Sequence, residues 1–126
     1  MGEDIREDLK YTETHEWLKV EGSKAKVGIT DHAQSELTDI VFVELPSVGK
    51  EIKKGEELCI VESVKSVSEI YSPVSGKILD VNKKLEDAPE TVNQDPYDDG
   101  WLIEMEITDK TELDKLLDAE SYRKII

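Results

Sequence analysis

Val61-Glu62-Ser63-Val64-Lys65-Ser66-Val67-Ser68-Glu69-Ile70 is the stretch around which the chain is organised. Outward from Lys65 it is close to a mirror: Val64 answers Ser66, Ser63 answers Val67, and Glu62 and Glu69 stand further out. Upstream, Leu58-Cys59-Ile60-Val61 is a continuous apolar run that fits a strand buried on both faces. Downstream, Val67 to Tyr71 is rich in β-formers and stops at Pro73, which favours a strand end or an edge. Two strands joined here put Lys65 at the outer end of a hairpin, where a solvated amine is open to a modifying enzyme. The competing reading is one surface lysine among many, the ordinary state of a lysine. Turn chemistry argues against it. No Gly, Asn or Asp marks this hairpin, although those residues make tight turns easiest.

Glu62-Ser63-Val64-Lys65-Ser66-Val67-Ser68-Glu69 resembles the lipoyl-lysine hairpin of the glycine cleavage system H-protein family. Tyr11-Thr-Glu-Thr-His15-Glu16-Trp17, Gly28-Ile-Thr-Asp31-His32-Ala33-Gln34, Val41-Phe-Val-Glu-Leu-Pro46 and Asp95-Pro-Tyr-Asp-Asp-Gly100-Trp101 resemble further blocks of that family, in its order. The likeness runs from about Leu9 to Tyr122. A lone lysine motif is weak; ordered blocks along a whole chain are strong.

The resemblance implies a mainly β fold: a lipoyl/biotinyl-type barrel-like sandwich of two antiparallel sheets with pseudo-twofold symmetry. It implies lipoate in amide linkage on Lys65 and a carrier role with three stations. Glycine decarboxylase, a pyridoxal-phosphate enzyme, loads the aminomethyl group of glycine onto the dithiolane. A tetrahydrofolate-dependent aminomethyltransferase removes the one-carbon unit and releases ammonia. Dihydrolipoamide dehydrogenase, with FAD, reoxidises the dithiol. A lipoate-attaching enzyme is a fourth partner, and the carrier itself is expected to be a monomer and no enzyme. Around Lys65, the small Ser63 and Ser66 with Val64 keep the amine accessible, and Glu62 and Glu69 mark the site by charge. For Glu62, a solvated strand end is an equal alternative. In the family the loaded arm rests in a cleft, where a cationic amine is best met by carboxylates. By position in the matching blocks, Glu16 and Glu69 are the candidates, with Thr14 and His32 beside them; Trp17 and Trp101 fit core packing better than a cleft wall.

With 126 residues and 37% hydrophobic residues, the chain suits one compact domain with a modest core. The 30 acidic against 16 basic residues give a formal charge of −14, which disfavours nucleic acid. The charge serves either steering toward basic docking surfaces or plain solubility. The single Cys59 cannot form an internal disulfide and lies in the apolar run, as a small core residue would. No apolar run reaches membrane-spanning length. The start, Met1-Gly-Glu-Asp-Ile-Arg-Glu-Asp, resembles neither a signal nor a transit peptide, so a prokaryotic cytoplasmic location is expected ahead of a mature mitochondrial one.

Along the chain, residues 1–10 read as loose or as a short edge strand over 5–9. Two strands flank the turn Glu21-Gly22-Ser23. Asp31 with Gln34 forms a capping-box pattern for a short helix over 31–38. Ile40-Val-Phe-Val43 reads as a buried strand ended by Pro46. Pro46-Ser-Val-Gly49-Lys50 and Pro73-Val-Ser-Gly76-Lys77 form a weak repeat around Lys65, the root of the symmetry expectation, with chance recurrence of turn residues as the alternative. Residues 82–100 read as a loop with one helical turn near 89–92, and 101–107 as a strand. Asp109 with Glu112 forms a second capping box, followed by a Leu113, Leu116, Leu117 stripe, and Asp118 caps a last helix, so helices are expected near 110–124.

No catalytic constellation is visible. His15 and His32 lie in separate blocks, read as structural and as part of a helix start, and two histidines alone make no zinc site. A carrier whose cofactor does the chemistry accounts for this. Its rivals are a lipoyl domain of a 2-oxo acid dehydrogenase complex, an H-like protein serving lipoate assembly or another lipoyl-dependent oxidation, and a biotin carrier. The first lacks its usual linker here. The last is weakened by Val64 and Ser66 where methionines are expected.

Overall fold

A computed structural model of the chain describes residues 4–126. Its strands are β1 (Lys10–Tyr11), β2 (Glu16–Glu21), β3 (Lys24–Ile29), β4 (Ile40–Glu44), β5 (Glu51–Ile52), β6 (Glu57–Ser63), β7 (Val67–Tyr71), β8 (Gly76–Val81) and β9 (Ile103–Ile107). They form two antiparallel sheets, one in the order β1-β2-β3-β9-β8-β5 and one in the order β4-β6-β7. The sandwich expected from the sequence is present. Alternate residues such as Leu18, Val27, Ile78 and Met105 meet Val43, Leu58, Val61 and Ile70 in one main core.

The apolar run Leu58–Val61 sits in β6, the middle strand of the smaller sheet, and needs no outward polar face. Its neighbour β4 departs from the reading as a buried strand. A register shift between Ile40 and Phe42 turns Val41 and Phe42 outward, 51% and 48% exposed, while Ile40 and Val43 stay in the core. A bulge on an edge strand allows two consecutive side chains to face water.

Helices close the gaps between strands. Helix α1 (Asp31–Leu37) begins where expected, but its N-cap is Thr30, whose hydroxyl accepts from the Ala33 N–H. Asp31 lies one position too far in to cap. Its carboxylate accepts instead from the Gln34 side chain and from the Asp4 N–H. Between 82 and 100 there are two short helices, α2 (Lys84–Asp87) and α3 (Thr91–Gln94), where the sequence reading gave one turn. The strand expected over 101–107 begins at Ile103. Asp109 caps a 3-10 helix (Lys110–Lys115) by accepting from the Thr111 N–H. Glu112 does not complete a capping box; its carboxylate accepts from the Ser75 N–H and hydroxyl, tying this turn to the segment before β8. Leu113 and Leu116 pack on the main core, while Leu117 joins a second core and bridges to Tyr11. Asp118 caps α4 (Ala119–Arg123) as expected, accepting from the Ser121 N–H.

The second core gathers Leu9, Tyr11, Trp17, Tyr97, Ala119 and Tyr122. Tyr11 and Tyr122 stack with ring centres 4.6 Å apart, and the Trp17 indole donates to the Pro96 carbonyl. Trp101 leans on the edge of this cluster with Lys26 over its ring. Packing is thus the role of both tryptophans. Opposite Trp17 in the β2–β3 ladder stands Gly28, where a Cβ would meet the indole at 2.6 Å. Residues 5–9 carry no strand; the first one begins at Lys10, and Asp4, Arg6 and Leu9 are tied by hydrogen bonds to Asp31 and Tyr11 and by burial. Residues 1–3 of that segment lie outside the described residues.

The repeated segments around Lys65 meet each other. β5 pairs antiparallel with β8, Glu51 opposite Lys77, with Ile78 N–H donating to the Lys50 carbonyl just beyond. Their glycines do different work. Gly49 takes a left-handed φ of 93° in open space, whereas at Gly76 a Cβ would strike the Glu106 carbonyl oxygen.

Candidate functional site

β6 and β7 form the hairpin that carries Lys65, with Glu62 opposite Val67, Val61 opposite Ser68 and Ile60 opposite Glu69. The turn has no left-handed residue. Ser63 replaces glycine chemistry with a side-chain cap. Its backbone N–H donates to the Ser66 carbonyl at 2.8 Å, and its buried Oγ accepts from the Ser66 and Lys65 N–H groups at 3.1 and 3.3 Å. The Val64 N–H donates to the Asp39 carbonyl, which fastens the tip to the start of β4. Lys65 and Ser66 are left exposed between Val64 and Val67, 67% and 62% exposed. Phe42 lies across Glu62 from Val67 in the same ladder row, so exposed apolar side chains flank Glu62 just below the turn.

Down the strand from the tip, a cleft opens between β7, α1 and the turn before β2. Thr14, His32 and Glu69 line it together, over a floor that includes Ile29, Ala33 and Ile70. Glu69 lies two residues beyond Val67, about 7 Å further along the strand at ~3.3 Å per residue. Its side chain is exposed at the rim.

Glu16 sits apart from these three. It is 1% exposed and stands behind Thr14, facing a neighbouring depression bounded by Thr12, Lys54, Tyr71 and Pro73. Thr14 belongs to both hollows. Glu16 Oε1 accepts from the Thr12 and Thr14 hydroxyls at 2.5 Å each, and Oε2 accepts from the Tyr71 N–H at 3.4 Å. Burial pushes its carboxyl above the ordinary range, and those donors offset part of the push. Thr14 thus stands between this buried carboxylate and the cleft lined by Glu69 and His32.

His15 also lines the cleft, although its sequence position reads as structural. It adopts φ 71°, a left-handed value uncommon for a non-glycine residue. That backbone turns its ring onto His32, with centres 4.6 Å apart, and brings Nδ1 within 2.8 Å of the Tyr122 hydroxyl. The same hydroxyl lies 2.7 Å from Thr30 Oγ1, so the cleft floor is joined to α4. Glu36, one helical turn beyond His32, and Tyr71, two residues beyond Glu69, complete the polar surroundings. Helical and strand periodicity would have placed both beside residues already chosen. Nothing in the sequence signals the His15 backbone.

Cys59 is buried, and burial pushes its thiol far above the ordinary range, which removes it as a nucleophile at neutral pH. Among the described residues, no group of three or more His, Cys, Asp or Glu could hold a metal ion. Nor is any helix among them long and apolar enough to cross a membrane.

The family model described as "Glycine cleavage H-protein" matches residues 9–126. The chain is 57% identical to the glycine cleavage system H protein of Endomicrobium trichonymphae, over 97% of this chain and 98% of that one. It is 56% identical to the glycine cleavage system H protein of Brevibacillus brevis, over 94% of each. Among solved structures, a glycine cleavage system H protein from Mycobacterium marinum superposes with a TM-score of 0.87 at 40% identity, covering 95% of this chain and 97% of that one.

Proposed function

The chain belongs to the glycine cleavage H-protein family, and on that premise we propose that it is a lipoyl carrier with lipoate in amide linkage to Lys65. One observation carries the reading: an exposed lysine at a turn that Ser63 caps through its side chain, with a cleft of polar and apolar wall a short distance down the same strand. The fit is chemical as well as spatial. Amide formation needs a solvated amine, and a long apolar arm needs an apolar floor to rest on. When attached, lipoate supplies a cyclic disulfide that takes up a carbon group and electrons, chemistry that no side chain here provides.

The chain's own residues then have three tasks. Ser63 and the Asp39 carbonyl hold the tip in one shape, so that Lys65 is offered to the lipoate-attaching enzyme at a fixed angle. Ile29, Ala33 and Ile70 exclude water from an arm lying along β7. Glu69, Thr14 and, behind it, Glu16 receive the cationic amine of the cargo, with His32 on the opposite wall. Glycine decarboxylase, aminomethyltransferase and dihydrolipoamide dehydrogenase are the partners in this reading. Tethering raises the local concentration of the reactive ring at each of them.

Intact mass after incubation with lipoate, ATP and a lipoate ligase tests the attachment, alongside a Lys65→Arg control. A gain of one lipoyl group, absent in the control, is expected; no gain on folded protein overturns the reading. Glycine-dependent loading by glycine decarboxylase then separates a glycine carrier from a carrier kept for lipoate assembly.

A further inference from the structure

Glu69 and Glu16 open on different hollows, yet one residue touches both. Tyr71 follows Glu69 on β7 at the strand period of two, so both side chains lie on the same face. Its phenol O–H donates to Glu69 Oε2 at 3.0 Å, and its backbone N–H donates to Glu16 Oε2 at 3.4 Å. It also lines the depression onto which Glu16 looks. An exposed glutamate has free rotamers and spends little time aimed at any one point. A phenol bonded to one of its oxygens narrows that freedom and leaves the other oxygen available.

We propose that Tyr71 is a positioning residue for the cargo: its hydroxyl fixes Glu69 at the cleft rim, with Oε1 left to receive a cationic amine, while its backbone sets where Glu16 stands behind Thr14. This deepens the carrier reading above and rests on it. Tyr71 lies six residues along the chain from Lys65 and donates to Glu69 and Glu16, so removing its hydroxyl should leave lipoylation at Lys65 intact. The phenol is held above its ordinary range chiefly by the bond to Glu69, as such a contact requires.

Two measurements test this, one on the unmodified chain and one on the loaded one. In the unmodified chain, the Tyr71 phenol is titrated by NMR in the wild type and in Glu69→Gln. The raised value should fall back in the variant, and an unchanged value overturns the contact. In the lipoylated chain loaded with glycine and decarboxylase, hydrolytic release of formaldehyde and ammonia is timed for Tyr71→Phe, Glu69→Gln and the double variant. Each single change should speed release severalfold, and the double variant should be no faster than Glu69→Gln alone, because Tyr71 acts through that carboxylate. Additive effects, or a silent Tyr71→Phe beside a fast Glu69→Gln, overturn the Tyr71 assignment and leave the cleft reading standing. If Glu69→Gln, Glu16→Gln and Tyr71→Phe all release at the wild-type rate, the cleft reading falls, and this proposal with it.

Discussion

At the scale of single residues, Glu16 and Ser63 do the most with the least exposure. Burial raises the Glu16 carboxyl, so the folded chain binds that proton more tightly than the unfolded chain does. Its contribution to stability is full below the unfolded carboxylate value of about 4.3 and is lost as pH rises through the higher native value. Urea midpoints measured across that range should fall for the wild type relative to Glu16→Gln; parallel curves would mean that Glu16 titrates normally. Ser63→Ala removes the acceptor of two turn N–H groups at a cost of about 1 kcal/mol. Faster amide exchange at Lys65 and Ser66 is expected, with a higher KM for lipoate attachment and little change in overall fold. The sequence singled out Ser63 only as small, because an ST-type cap looks like any other serine until its Oγ is placed. Thr14, Glu69 and His32 were legible from their blocks, and the structure gathers them around one cleft. Glu16 was legible as a residue of interest, but its seat behind Thr14 depends on which way β2 faces.

At the scale of elements, periodicity worked where one face met one core. β2, β3, β6 and β7 fall where alternation or a continuous apolar run puts them. β4 shows the limit. Ile40-Val-Phe-Val43 is apolar throughout, and only the bulge at Ile40 to Phe42 decides that two of these side chains face water. Capping patterns failed by one residue at α1 and by partner at Glu112, since a nearby Ser75 offered the carboxylate two donors. The β2–β3 ladder carries the sharpest element-level expectation. Gly28→Ala pushes a methyl group into the Trp17 indole and should cost about 1–3 kcal/mol, read by chemical denaturation. An unshifted midpoint would require the indole to be free to move, although its N–H is bonded to the Pro96 carbonyl.

At the scale of the molecule, the charge of −14 and the two cores set behaviour that no single element does. If partners dock through basic surfaces, loading at sub-saturating carrier should fall as salt rises from about 0.05 to 0.5 M, where the screening length shrinks from above 10 Å toward about 4 Å. KM should carry the effect and kcat should stay flat; salt-independent KM would reduce the charge to a solubility device. The second core was the least legible part, because its members are spread from Leu9 to Tyr122 and share no local pattern.

That spread has a temporal side. Tyr11 is locked by Leu117 and Tyr122, from the far end of the chain, while the hairpin around Lys65 joins near neighbours in sequence. A ribosome makes the chain from its first residue at ~5–20 residues per second, so Lys65 emerges seconds before the residues that brace the cleft floor through His15 and Thr30. A hairpin alone is marginal in water, and the nascent chain keeps it so until its sheets close. The Lys65 hairpin and the residues that line the cleft are therefore synthesised early, and the brace that Tyr122 gives the cleft floor comes last.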